Sequence, residues 1–420
     1  MSAWSGRHLH FIGIGGAGMS GLALVCHHLG AAVTGSDRAD SSYMQRLRQA
    51  GLEPVVGHDA ANLPEGDYEV VRSTAIDADN PEWKGAVGEG MRVLHRGELL
   101  AELCAEKRLI AVAGTHGKTT TTAMVVWALR GIGADPAFFV GGEVPGVGPG
   151  GEALNAGWGE GEWVVAEADE SDASFLELRP EIAVVTNIEM DHHSRWGSLA
   201  ELRAAFAEFQ GRARAPLEFD AKSPGPEALE LAVPGAHNVL NARAALAAIE
   251  AAGFDVQAAA RELHRFPGVR RRLELKGERG GARVYDDYAH HPTEVRAALT
   301  ALRELAPRRL LAAFQPHLYS RTKAMREQFG AALALADEVA VLDVYPAREE
   351  PVGELAGVSG LDVARAVADH GGSRVIWTPA LEAARRALEA RLGEGDLLVT
   401  IGAGDVFKLA ERLVAAESPA

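Results

Sequence analysis

The stretch Gly114-Thr115-His116-Gly117-Lys118-Thr119-Thr120-Thr121 decides the fold of this chain. It follows the apolar run Arg108–Ala113, which reads as a buried strand, and it opens a helix. Strand, glycine loop and helix in that order make a phosphate cradle. Backbone N–H groups surround the phosphates, Lys118 reaches the β- and γ-phosphates, and the Thr119 hydroxyl suits a Mg²⁺ ion. The spacing departs from GxxxxGK[ST], whose first glycine would fall at Val112; the loop here is GTxGKTT. Only 7 of the 42 basic residues are lysines, so a lysine inside a motif stands out.

Two acidic groups follow neighbouring apolar runs. Glu167, Asp169, Glu170 and Asp172 come after Trp163–Ala166. Asn187, Glu189, Asp191, His192 and His193 come after Ile182–Thr186. Open α/β sheets place ligands at such strand ends. Beside a phosphate loop, carboxylates and a histidine suit divalent metals, although any one of them alone reads as a solvated acid.

A second glycine motif, Gly13-Ile14-Gly15-Gly16-Ala17-Gly18, lies between the strand His8–Ile14 and a helix over about Ala17–Leu29. Glycines there let the backbone approach a pyrophosphate, and the helix N-terminus favours its charge. Asp37 ends the next strand, 19 residues after Gly18, where a ribose-binding acid would sit. The pattern reads as a dinucleotide site, as a site for another diphosphate, or as tight strand–helix packing. It says "diphosphate" better than it says "nicotinamide cofactor".

Short apolar runs alternate with helical patterns along all 420 residues, which predicts α/β layers around parallel sheets. Further strands are expected at Ala32–Gly35, Glu53–Val56, Glu69–Ser73, Val284–Asp287, Arg309–Phe314, Glu338–Val344, Arg374–Trp377 and Asp396–Ile401. Helices are expected at Arg96–Glu106 and Leu199–Phe209. Gly142–Gly161 is glycine-rich and reads as a mobile loop, and Ala213–Glu227 as a linker or trimmed excursion. Three domains are expected, at about 1–107, 108–277 and 278–420.

Composition narrows the function. A formal charge of −16 argues against nucleic-acid partners, which call for a basic footprint. Residues 8–36 contain no Asp, Glu, Lys or Arg, but four histidines and seven glycines interrupt them, so neither a bilayer span nor a signal-peptide core is expected. A cytoplasmic protein, monomer or dimer, is the expectation. Cys26 and Cys104 sit in apolar helical patterns and read as buried thiols, not as a disulfide scaffold.

The remaining motifs lie in the last third of the chain. His237-Asn238-Val239-Leu240-Asn241 opens an alanine-rich helix, where amides suit a nucleotide base. Arg270-Arg271-Arg272 suits a phosphate or is merely a solvated face. Asp286-Asp287-Tyr288-Ala289-His290-His291-Pro292 and Gln315-Pro316-His317-Leu318-Tyr319-Ser320-Arg321-Thr322 each follow a strand. Histidine and arginine in such loops suit a carboxylate or phosphate.

Taken in order, GIGGAGMSG, GTHGKTTT, EADESDASFL, TNIEMDHH, HNVLNA, DDYAHHPTEV and FQPHLYSRT resemble the Mur ligase family over nearly the whole chain. The resemblance implies an α/β architecture of three domains. These are a Rossmann-like N-terminal domain for a UDP-sugar, a central P-loop domain for ATP, and a Rossmann-like C-terminal domain. Within the family it points to the alanine-adding branch, in which L-alanine is joined to the lactyl carboxylate of UDP-N-acetylmuramate through an acyl phosphate. Cofactors implied are ATP and Mg²⁺, with Mn²⁺ as a substitute. By the match, Gly15, Gly16, Ala17, Gly18, Met19 and Ser20 contact the diphosphate, and Asp37, Ser73 and Thr74 line the uridine side. Gly114, Thr115, His116, Gly117, Lys118, Thr119 and Thr120 hold the ATP phosphates. Thr119 and Glu167 ligate one Mg²⁺ and His192 the second. Asn238 and Asn241 match adenine-side positions, Arg272 a γ-phosphate arginine and Asp287 a ribose-binding acid. Tyr288, His290 and Arg321 match positions near the muramate and the incoming amino acid, with His290 the candidate base. Closure of the domains is expected, because the ATP and UDP-sugar contacts come from different blocks.

Three features depart from the family pattern. The stretch from Phe209 to His237 is short. Residues 191–221 hold no lysine, so the carboxylated lysine of some relatives is absent, in agreement with the alanine-adding branch. Leu318 stands where some members have arginine. The alternatives are a recycling ligase that joins a murein peptide to UDP-N-acetylmuramate, and a homologue that binds both nucleotides without turnover. A nicotinamide dehydrogenase would leave GTHGKTTT unexplained.

Overall fold

In the computed structural model, which describes residues 3–191, 195–219 and 229–415, the chain forms three sheets and divides into two compact units. The first unit comprises residues up to 230 together with 240–267. The second comprises 231–239 and 268 onward.

The first unit holds two sheets. β1 (His8–Ile12), β2 (Ala32–Asp37), β3 (Val55–Val56), β4 (Glu69–Arg72) and β5 (Arg92–His95) are all parallel, in the order β3-β2-β1-β4-β5. The order reverses between β1 and β4, so the loops after these two strands flank the crevice where such sheets bind ligands. Helices α1 (Ala17–His28), α2 (Ser42–Gln49), α3 (Pro81–Gly88) and α4 (Arg96–Cys104) belong to this layer. The second sheet runs β11-β10-β6-β9-β7-β8. Its strands are β6 (Arg108–Ala113), β7 (Ala137–Val144), β8 (Leu154–Gly157), β9 (Trp163–Glu167), β10 (Ile182–Val185) and β11 (Ala215–Glu218). β6 lies between β9 and β10, and both pairings are parallel. The phosphate-type loop after β6 is therefore flanked by the two acidic loops. Helices α5 (Lys118–Gly131), α6 (Leu199–Gly211) and α8 (Val256–Leu263) complete this unit, and the division between units passes through α7 (Ala236–Ala251).

The second unit carries the order β12-β13-β17-β14-β15-β16. The strands are β12 (Glu274–Arg279), β13 (Ala282–Asp287), β14 (Leu310–Phe314), β15 (Glu338–Val341), β16 (Arg374–Trp377) and β17 (Leu397–Ile401). All pairings are parallel except β12 with β13. Helices α9 (Pro292–Glu304), α10 (Tyr319–Leu333), α11 (Gly360–His370), α12 (Leu381–Glu389) and α13 (Phe407–Ala415) surround it. β14 and β17 are fully buried, which explains their unbroken apolar runs, LLAAF and LLVTI.

Two expectations are corrected. The stretch Gly142–Gly161 is not loop throughout, since residues 142–144 and 154–157 lie in strands. β7 and β8 form an antiparallel hairpin, and it packs on α1. The glycine at position 21 is there for close approach, since a Cβ would stand 2.8 Å from the Cβ of Ala156. Asn155 Nδ2 donates to Ala17 O (2.7 Å), and Arg46 pairs with Glu143 (2.5 Å). Ala213–Glu227 is not purely a linker either. Ala215–Glu218 pairs with β10 as a parallel edge strand, and residues 220–228 lie outside the described residues. Cys26 and Cys104 are both buried free thiols, and burial pushes Cys26 up to about 12.

Because the α1–β8 contact leaves no room for a side chain, Gly21→Leu should destabilise the protein by about 1–3 kcal/mol. Denaturant unfolding of the variant against the parent chain measures this.

Candidate active site

α5 begins at Lys118 with Gly117 as its N-cap in a left-handed conformation (φ +83°) and no side-chain cap. A Cβ on Gly117 would lie 2.3 Å from Asn241 Oδ1, so only glycine fits beneath this asparagine of α7. The first amides of α5 have no carbonyl one turn back, and they form an anion-binding end.

Lys118 is fixed from three sides. Its Nζ donates to the carbonyls of Gly114 (2.6 Å) and Thr115 (3.2 Å), and it pairs with both carboxylate oxygens of Glu170 at 3.0 and 2.9 Å. The Glu170 side chain is 1% exposed. Burial pushes its carboxyl up to about 7 even against Lys118, and the nearby Asp169 adds to the rise. Burial works to discharge Lys118, but Glu170, Asp169 and Glu167 hold it above its ordinary value. The ammonium therefore stays charged.

Thr119 Oγ1 donates to Glu167 Oε1 (3.0 Å), and the other oxygen of Glu167 accepts from the Gly141 amide (2.7 Å). A hydroxyl and a carboxylate brought together are hard oxygen donors of the kind Mg²⁺ prefers. On the other flank, Asn187 Oδ1 accepts from the His116 amide, its Nδ2 donates to His116 O, and His116 Nε2 meets Glu189 Oε2 at 2.8 Å. His192 lies outside the described residues.

The loop after β1 also leads into a helix whose first amides no side chain caps. Ser20 N bonds to Gly16 O, while the amides of Ala17, Gly18 and Met19 open α1 without a capping side chain. Asp37 Oδ2 accepts from Gly15 N (2.9 Å), so this expected ribose acid lies against the diphosphate loop. Met19 and Ser20 are buried, and Ser20 Oγ donates to Ala17 O. Ser73 and Thr74 stand after β4, across the switch point, with Thr74 exposed.

In the second unit, Asp287 is bound on both oxygens by backbone amides, of Leu273 and Ala289, at 2.7 Å each. Burial raises its carboxyl to about 6, with Arg272 opposing. The three arginines before β12 behave differently. Arg270 is exposed, Arg271 pairs with buried Asp286 (3.1 Å) and donates to Gly402 O, and Arg272 lies over the Tyr288 ring. Asn238 Nδ2 donates to Pro234 O. Tyr288, His290, His317 and Tyr345 follow one another with ring centroids 5.5, 5.9 and 5.9 Å apart. Arg321 Nη1 reaches His317 Nδ1 at 3.4 Å. The structure thus brings Tyr288, His290 and Arg321 together through His317. That residue stood in the sequence motif without a role, and Tyr345 carried no sequence signal at all. Glu170 was one of four loop acids; a buried lysine demands a carboxylate, and this was the signal available.

The fold and the two loops define a P-loop nucleotide-binding α/β protein with a separate diphosphate-type loop. Family models give the rest. The Mur ligase family catalytic domain matches residues 8–108, the Mur ligase middle domain 112–217, and the Mur ligase glutamate ligase domain 271–404. The chain belongs to the Mur ligase family. It is 44% identical over 448 residues to a UDP-N-acetylmuramate–L-alanine ligase of Renibacterium salmoninarum, covering 95% of this chain and 93% of that one. It is 46% identical over 450 residues to the ligase of the same name from Kineococcus radiotolerans, with the same coverage. The solved UDP-N-acetylmuramate–alanine ligase of Thermotoga maritima superposes with a TM-score of 0.84 at 30% identity, over 97% of this chain and 98% of that one. A murein peptide ligase of Psychrobacter arcticus gives 0.67 at 25% identity, over 98% of each chain.

Two outcomes test the electrostatics. Lys118→Met should lower kcat at least about 10²-fold, the loss typical of removing one donor from a preorganised charge site. It should still fold, because Glu170 can take up a proton; circular dichroism and steady-state turnover check both. For Asp287 the folded value lies above its ordinary 3.8, so its contribution to stability is full below that pH and is lost as pH rises through about 6. The stability difference between the parent and Asp287→Asn should therefore change across pH 4–7, as read by unfolding at each pH.

Proposed function

We propose that the protein joins L-alanine to the lactyl carboxylate of UDP-N-acetylmuramate, with cleavage of ATP to ADP and phosphate. The observation that carries this reading is the pairing of two anion-binding helix ends in one unit. One, at α5, holds a fixed ammonium, and the other, at α1, is left open by its glycines. The first suits ATP and the second a UDP-sugar. The names of the relatives supply the amino acid and the sugar.

In this reading a carboxylate oxygen of the sugar substrate attacks the γ-phosphorus of ATP. The new O–P bond forms as the bond to the bridging oxygen breaks, and ADP leaves. The α-amine of alanine then attacks the acyl carbon, inorganic phosphate leaves and the amine loses a proton. Lys118 holds phosphoryl charge in place, and the α5 amides add to it. Thr119 and Glu167 are the residues that would hold Mg²⁺, which supplies neutralisation of phosphate charge; His192 is proposed as a ligand of a second ion. Gly114, Thr115, His116, Gly117 and Thr120 frame the phosphates, with Asn238, Asn241, Arg272 and Asp287 on the nucleoside and γ-phosphate sides. Gly15, Gly16, Ala17 and Gly18 face the diphosphate, with Asp37, Ser73 and Thr74 toward the uridine.

Tyr288, His290 and Arg321 form the amino-acid side. His290 Nδ1 meets the carbonyl of Tyr288 at 3.1 Å. A carbonyl only accepts, so the neutral ring carries its proton on Nδ1 and its lone pair on Nε2. That is the tautomer a base toward the alanine ammonium needs. No helix among the described residues is long and apolar enough to cross a membrane, and a cytoplasmic location fits this chemistry.

The test is phosphate release from ATP and Mg²⁺ with UDP-N-acetylmuramate, with and without L-alanine. Release should require both substrates and give a product heavier by one alanyl residue. Dependence on a murein tripeptide in place of alanine would move the assignment to the recycling ligase, and no release with either would reject turnover. His290→Gln should lower kcat and change the shape of its pH profile; an unchanged rate and profile would remove His290 as the base.

A further inference from the structure

Arg96 opens α4 and is held on both sides of the backbone. His95 caps the helix, its Nδ1 accepting from Gly97 N, while its own amide donates to Glu98 Oε2. Gly97 presses against the turn Ser174–Glu177, where a Cβ would stand 2.5 Å from that of Ser174. The arginine therefore sits in a fixed place between two loops. One face of its guanidinium is committed. Nη2 donates to Asp169 Oδ2 (2.6 Å) and Asp172 Oδ2 (2.8 Å). The other edge is not. Nη1 and Nε make no hydrogen bond among the described residues, and Nη1 lies 3.7 Å from where a Cβ of Gly18 would stand. Gly18 is in the first turn of α1, beside the open amides of residues 17–19.

We infer that Arg96 is a further binding residue for the diphosphate of the sugar nucleotide, donating from Nη1 beside Gly18 while Asp169 and Asp172 hold its other edge. This rests on the reading of the α1 loop as the sugar-nucleotide site. Guanidinium is suited to the task. It is planar and always charged, and its fork of donors engages a carboxylate on one side and a phosphate on another. Both aspartates engage Nη2, so they orient the group without occupying Nη1, the donor beside Gly18. An arginine fixed in this way loses little rotamer freedom when the anion arrives. Asp169 is followed directly by Glu170, the partner of Lys118, so one short acidic segment sets both the arginine at the sugar nucleotide and the lysine at ATP.

The experiment is binding to the full chain by calorimetry for UDP and UDP-N-acetylmuramate, and by competition for uridine, which has no phosphate. Arg96→Met should weaken UDP and the sugar nucleotide by about 10- to 100-fold, as expected for one charge-assisted hydrogen bond. Uridine and ATP affinities should hold within about threefold, a change worth well under the same bond. If Arg96→Met does not fold, Arg96→Lys serves. Lysine keeps the charge but cannot span the aspartates and a phosphate together, so the same ligands should weaken by a smaller factor. Unchanged UDP affinity in a folded variant overturns the proposal, and so does equal weakening of uridine and UDP, which marks Arg96 as a structural staple only. A parent chain that binds uridine but gains nothing from the diphosphate refutes the reading of the α1 loop, and the proposal with it.

Discussion

A lysine ammonium enclosed among carboxylates and carbonyls is the constraint on which this site depends. Lys118 has two backbone oxygens and both oxygens of Glu170 within 3.2 Å. Removing a charge from water is costly, and only close partners offset it. The partners here come from two strand ends, the loop after β6 and the loop after β9. Because β6 and β9 are paired in parallel, Val112 opposite Glu167, the two loops emerge side by side. Sheet register, in other words, sets the ion pair. The same register leaves three carboxylates, Glu167, Asp169 and Glu170, near one ammonium. Arg96 takes up part of this negative charge through Asp169, and burial raises the Glu170 carboxyl to about 7.

The phosphate loops were legible in the sequence for a clear reason. Each motif directly follows an apolar strand, and parallel sheets gather strand ends. GTHGKTTT, the acids after Trp163–Ala166 and the acids after Ile182–Thr186 needed only that rule to be placed together. What was not legible was why certain glycines are present. A glycine-rich run such as 142–161 gives the same signal whether the chain is loose or closely packed. Here Ala156 lies against position 21 of α1, a contact between residues 135 positions apart that no local pattern encodes. Side-chain commitments were also out of reach. By resemblance Asp287 matches a ribose-binding acid, and no pattern in the sequence told that both of its oxygens accept from amides of its own unit. Arg270, Arg271 and Arg272 looked alike, yet one is exposed, one braces Asp286 and one lies on Tyr288.

The acceptor side illustrates a different limit. His290 and Arg321 belong to motifs separated by about thirty residues, and each alone reads as an ordinary loop residue. The ring of His317 meets both of them, and Tyr345 stacks on His317 at an interplanar angle of 13°. Tyr345 follows β15 outside any motif. Only the strand order, in which β14 and β15 are neighbours, brings it to the row.

The β7–β8 hairpin has a mechanical meaning. Its strand β7 carries Gly141, whose amide holds Glu167 beside Thr119, and its strand β8 carries Asn155, which holds the first turn of α1. One short ribbon thus touches the loop after β6, through Glu167 and Thr119, and the loop after β1, through Ala17. The pairing of the hairpin is interrupted between Phe139 and Val144, and Gly141 lies in that interruption, so its amide is turned to Glu167 and not to β8. The two loops are thereby tied to one ribbon, which works as a spacer that couples the position of the one to the position of the other.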